Sequence, residues 1–112
     1  MKPFLLSYSV EKNNPADNSN AAAETRNWID DYLAKEVNNL QNIKKHTNVE
    51  TTISGEINVT GCCDLAKIKC VIDIFHHVFT NMLQERNIDP EAVTIKCTLL
   101  VHDISHSFEF DM

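Results

Sequence analysis

Between residues 64 and 102 the hydrophobic period of this chain changes from helical to extended around a single turn. Leu65, Ile68, Val71, Ile72, Phe75, Val78, Phe79, Met82 and Leu83 recur at steps of three and four. Beyond Asn87-Ile88-Asp89-Pro90, the residues Val93, Ile95, Cys97, Leu99 and Val101 take every second position. A 3.6-residue period followed by a period of two predicts an amphipathic helix feeding a half-buried strand. Asp64 can cap the helix, which should end near Asn87 because the residue before a proline disfavours helical dihedrals. The strand is expected over 92–102.

Upstream, Phe4, Leu6, Tyr8 and Val10 alternate along a first strand at 3–10. The polar run Asn13-Asn14-Pro15-Ala16-Asp17-Asn18-Ser19 reads as a loop. Ser19 or Asn20 can cap a first helix that Ala21 to Ala23 favour, running to about Leu40. Ala22, Trp28, Ile29, Tyr32, Leu33, Val37 and Leu40 share one half of its wheel, with Glu24, Asn27, Asp31, Lys35 and Asn38 on the other.

Ser54-Gly55 has the composition of a two-residue hairpin turn. A hairpin there would set Ile53 against Glu56 and Thr51 against Asn58, opposing apolar and polar side chains. Val49, Thr51, Ile53, Gly55, Ile57 and Val59 instead alternate without a break. One long strand over 48–59, bent or bulged at Gly55, is therefore expected. A turn near Asp103 to Ser105 should lead to a short last strand with Phe108 and Phe110 on one face.

The predicted order is β-α-β-α-β-β. The faces opposite the apolar ones carry Glu50, Thr52, Ser54, Glu56 and Asn58, then Thr94, Lys96, Thr98 and His102. One apolar sheet face predicts an α+β two-layer sandwich, a four-stranded mixed sheet with two helices on one side. The other face would meet water or a partner. At 112 residues, the whole chain, 1–112, is expected to form a single domain.

Composition narrows the function classes. The formal charge is −6, and Lys44-Lys45 is the only adjacent basic pair, so affinity for nucleic acid or anionic membrane is not expected. No window approaches the roughly 18–20 apolar residues of a membrane span. Met1 to Leu6 has a charge and a short apolar run, but it stops at Ser7-Tyr8-Ser9, too early for a signal peptide. A cytoplasmic location is expected, with Cys62, Cys63, Cys70 and Cys97 reduced.

Three groups of residues could carry chemistry. Cys70, Asp73 and His77 fall on one helix face and are competent zinc ligands or thiol activators. No Cys-x-x-Cys or His-Glu-x-x-His motif accompanies them, and a solvated helix face shared with Asn81 and Gln84 is the favoured reading. Cys62-Cys63 precede the helix, where its dipole would lower a thiol pKa. His102, Asp103 and His106 flank a turn and could hold a divalent metal or serve as acid and base; they are also ordinary hairpin residues. His76 sits at the rim of the apolar arc and is expected to be packed. The two glycines, Gly55 and Gly61, form no phosphate-binding pattern, and there is no Gly-x-Ser-x-Gly elbow.

No catalytic residue and no cofactor are assigned. Acidic charge and a one-sided sheet point instead to a small cytoplasmic protein-binding module. Its form would be an inhibitor or immunity-type protein that neutralises a basic nuclease or toxin. Asp30, Asp31, Glu50 and Glu56 are the candidate partner-binding acids. The competing expectation is a small metal- or thiol-dependent enzyme using His102, Asp103 and His106, or Cys70, Asp73 and His77. A homo-oligomer joined through the last strand, if that strand is a sheet edge, is compatible with either.

Overall fold

The computed structural model describes residues 1–16, 20–46 and 51–112. Its elements are β1 (Lys2–Lys12), α1 (Ala21–Lys35), β2 (Leu40–Lys45), β3 (Thr52–Ile57), α2 (Asp64–Glu85), β4 (Val93–Val101) and β5 (Phe108–Asp111). The strands form one sheet in the order β2-β3-β1-β4-β5, and every neighbouring pair is antiparallel. The α+β class is as expected. The sheet has five strands rather than four and is antiparallel rather than mixed.

The added strand is β2, which lies inside the segment expected to extend α1 to Leu40. The helix stops at Lys35, where Glu36 leaves helical dihedrals and its N–H bonds to the Leu33 carbonyl. Val37-Asn38-Asn39 are poor helix formers, and Val37 is 68% exposed rather than packed. Leu40 is buried as expected, but as the first residue of β2 in register with Ile57. Pairing with β3 thus overrides a helical pattern that two widely spaced apolar residues had extended by one turn.

No hairpin forms at Ser54-Gly55; β3 runs straight through it, as the alternation required. The irregularity lies on the neighbouring strand, where the β2–β3 register shifts between Gln41 and Lys44 and Asn42 takes φ 53°. Gly55 explains the close approach. A Cβ there would lie 2.8 Å from Ile43 Cδ1 and 3.0 Å from both Phe4 Cε1 and the Gln41 carbonyl oxygen. The expected strand residues 48–50 and loop residues 17–19 lie outside the described residues.

α2 is the spine of the second layer. It ends in a Schellman motif: Asn87 has φ 56°, and the Ile88 N–H reaches the Leu83 carbonyl at 2.8 Å. Phe75, fully buried on α2, meets Phe4 of β1 edge-on at 5.5 Å and Phe110 of β5 at 6.3 Å. The helix therefore bridges the centre of the sheet and its β5 edge. Leu65, placed on the apolar arc by its spacing, is 77% exposed. His76 is also exposed rather than packed.

α1 covers β1 and β2 with Ala22, Ile29, Tyr32 and Leu33. Thr25 is fully buried beside them, and its hydroxyl donates to the Ala21 carbonyl at 2.7 Å. That bond removes the cost of an unpaired hydroxyl in the core. Both helices lie on the face carrying Phe4, Leu6, Tyr8, Val10, Ile53, Ile57, Ile95, Cys97 and Leu99, all buried. The opposite sheet face has no covering layer among the described residues.

Candidate functional site

The uncovered face is ordered by strand register. Leu5 of β1 stands between Ser54 of β3 and Leu100 of β4. Leu5 is 42% exposed and Leu100 53%. The next row is Thr52, Ser7, Thr98 and Glu109, and the one after it Ser9, Lys96 and Asp111. Two large apolar side chains in contact register thus sit in water on a face that otherwise carries Ser, Thr, Pro3, Gln41 and charged residues, including Lys44 opposite Ser54. Isolated exposed leucines are ordinary, but an adjacent pair at the centre of an open sheet is a nucleus for docking.

Electrostatics frames that pair. Glu11, Glu56, Glu109 and Asp111 share the face, and Lys96 is held by Glu11 at 3.2 Å. Glu56 also accepts a hydrogen bond from the Asn42 side chain. A concavity of ≈ 480 Å³ lies over β4 and β5, lined by Lys96, Cys97, Thr98, Glu109, Phe110 and Asp111. Cys97 and Phe110 turn their side chains to the core, so they contribute backbone to it. The result is a polar, net acidic trough beside an apolar pair.

The candidate partner-binding acids are distributed over both layers of the fold. Glu56 lies on the open sheet face, whereas Asp30 and Asp31 lie on α1 in the helical layer on the other side. Glu50 lies outside the described residues. Glu109 and Asp111, a C-terminal acidic pair in the sequence, are the acids nearest the trough, a position that sequence alone missed. Leu5 and Leu100 were also missed, although a signal existed: each is apolar at the polar parity of an alternating strand.

The second cluster gathers where the β4–β5 turn meets the start of α2. Gly61 supplies the turn before the helix with φ 142°, a conformation that side chains resist. Cys63 is the N-cap; the Ala66 backbone N–H, aided by Cys62, holds its exposed thiol below the usual thiol pKa. Asp64 is the first helical residue rather than the cap. Its carboxylate accepts from both the N–H and the hydroxyl of Ser105, and these bonds lower its pKa. Lys67 pairs with Asp103 at 3.1 Å and lowers that carboxyl as well.

This cluster does not assemble the expected metal site. Asp103 is engaged by Lys67, His102 is exposed, and His106 Nδ1 lies 3.4 Å from the Ser105 hydroxyl. Among the described residues, no three His, Cys, Asp or Glu side chains converge to hold a metal ion. Nor is there a catalytic triad: Ser105 sits between Asp64 and His106, whereas the chemistry needs histidine between serine and carboxylate. On α2, the Cys70 thiol faces the Asn58 carbonyl and the Thr60 hydroxyl, while His77 pairs with Asn81 at 3.2 Å. Cys70, Asp73 and His77 therefore share a helix face without converging.

Comparison with protein-family models, curated proteins and solved structures finds no match for this chain. No helix among the described residues is long and apolar enough to cross a membrane.

Proposed function

We propose that this chain is a cytoplasmic protein-binding module that docks its open sheet face on a basic partner, in the manner of an inhibitor or immunity-type protein. The observation that carries this reading is the register pair Leu5–Leu100, exposed at the centre of the face beside the acidic trough. Apolar contact at the centre supplies affinity, while surrounding acids steer a basic protein and favour it over acidic ones. The overall charge of −6 works in the same direction. A cytoplasmic setting is consistent with four unpaired cysteines.

The test is capture of partners on immobilised protein at low and high salt, with the Leu5→Ser/Leu100→Ser double variant alongside. The reading expects a basic protein bound near one-to-one, weakened by salt and lost from the double variant. Capture that ignores both salt and the double variant would overturn it. Because both leucines face solvent, the double variant should keep its wild-type melting behaviour, which separates a binding loss from unfolding.

A further inference from the structure

We propose that the outer edge of β5 takes up an extended segment of a partner protein in which basic and apolar side chains alternate. This deepens the reading above by naming what the partner presents, and it rests on that reading. The sheet has two edges, and they differ. β2 carries a register shift, Asn42 at φ 53° and the pair Lys44-Lys45, devices that discourage strand addition. β5 has no shift in its register with β4, no proline and no lysine.

The ladder fixes which β5 backbone groups are free. Met112 and Ile95 exchange both hydrogen bonds, at 3.0 and 3.1 Å. Antiparallel pairs alternate, so Phe110 and Phe108 also turn their N–H and C=O groups toward β4. Glu109 and Asp111 therefore point theirs outward, and among the described residues no backbone group bonds to them from outside the ladder. An added strand would find these groups at strand spacing.

Side chains on either side of the edge specify the occupant. On the open face, Glu109 and Asp111 flank the ≈ 480 Å³ trough and call for Lys or Arg at alternate positions. On the helix side, Phe108, Phe110 and Met112 are half-buried against the core. Beside them lies an apolar cavity of ≈ 300 Å³ lined by Thr80, Leu83, Gln84, Ile88, Pro90 and Met112. That side suits aliphatic residues at the intervening positions. A second copy of this chain fits poorly: antiparallel pairing of β5 with itself sets Glu109 and Asp111 against their own counterparts, and directly opposed like charges destabilise a sheet.

The probe is a fluorescent peptide of alternating lysine and valine, followed by anisotropy, with amide exchange read at Glu109 and Asp111. Asp111→Pro removes one outward N–H and none of the bonds to β4, a position edge strands tolerate for proline. Glu109→Lys/Asp111→Lys keeps the backbone and reverses the charge. Circular dichroism confirms that both fold. We expect binding by the wild type that salt weakens, slower exchange at both amides, and at least about tenfold weaker binding in each variant.

Binding unchanged in Asp111→Pro would overturn the edge proposal. So would a wild-type dimer in sedimentation that Asp111→Pro abolishes, since the occupant would then be a second copy. A peptide that no form binds, while the Leu5–Leu100 face still captures a basic protein, defeats the edge and leaves the face reading intact. Failure of both peptide binding and capture defeats both.

Discussion

The guanidinium of Arg86 lies 3.8 Å from the centre of the Trp28 ring, clamping the end of α2 onto the middle of α1. The same group approaches Glu24 at 3.8 Å. A cation over an aromatic face, partly desolvated, contributes on the order of 1–2 kcal/mol. Arg86→Ala should lower unfolding free energy by about that amount. Urea unfolding followed by the fluorescence of Trp28, the single tryptophan, measures it; Arg86→Lys should recover only part, because ammonium lacks the planar stacking surface.

Gly55 predicts an overpacking defect. Gly55→Ala introduces a Cβ 2.8 Å from Ile43 Cδ1 and 3.0 Å from a Phe4 ring carbon and the Gln41 carbonyl oxygen. The ring and the carbonyl have little room to yield, so the variant should lose about 1–3 kcal/mol. Ile43→Val removes the closest atom, and the double variant should be less destabilised than the sum of the two. Chemical denaturation of the four proteins in this cycle checks the coupling.

Asp64 gives the chain a predictable acid response. Hydrogen bonds from Ser105, side chain first and backbone second, hold its folded pKa below 3.8, and Lys67 does the same for Asp103. A lowered folded pKa means stability that is present above the unfolded value and lost as pH falls through the folded one. Asp64→Ala should therefore melt below the wild type at neutral pH, with the gap closing as pH falls through the lowered folded pKa. A gap that persists unchanged in strong acid would show that the carboxylate does not act through its charge. Melting curves across that range decide it.

The cysteines should separate by environment. Cys63 is exposed at the start of α2 with its thiol pKa lowered, whereas burial pushes Cys97 up to about 12. Thiolate is the reacting form. Brief alkylation of native protein at neutral pH, read by mass spectrometry, should label Cys63 and leave Cys97 untouched until denaturant is added. Labelling of Cys97 at a comparable rate in native protein would contradict its burial under the sheet.

Local periodicity carried much of this protein. The alternation of Phe4, Leu6, Tyr8 and Val10, and of Val93 to Val101, set both strands and their buried faces. The three- and four-residue spacing from Ile68 to Leu83 set α2. These patterns are legible because burial on one face acts on every residue of an element at once. The unbroken alternation through Gly55 likewise predicted a strand and not a turn.

Tertiary structure alone decided the rest. β2 exists because Leu40 and Lys45 find partners on β3, although Val37 and Leu40 continue the helical spacing of α1. Strand order brought Leu5 beside Leu100 and made β5 an edge, so the candidate interface joins positions nearly a hundred residues apart. Asp64 and Ser105, 41 residues apart, met for the same reason. Hydrophobic pattern is a property of consecutive residues; register, edges and surfaces are properties of strands that meet only when the chain closes on itself.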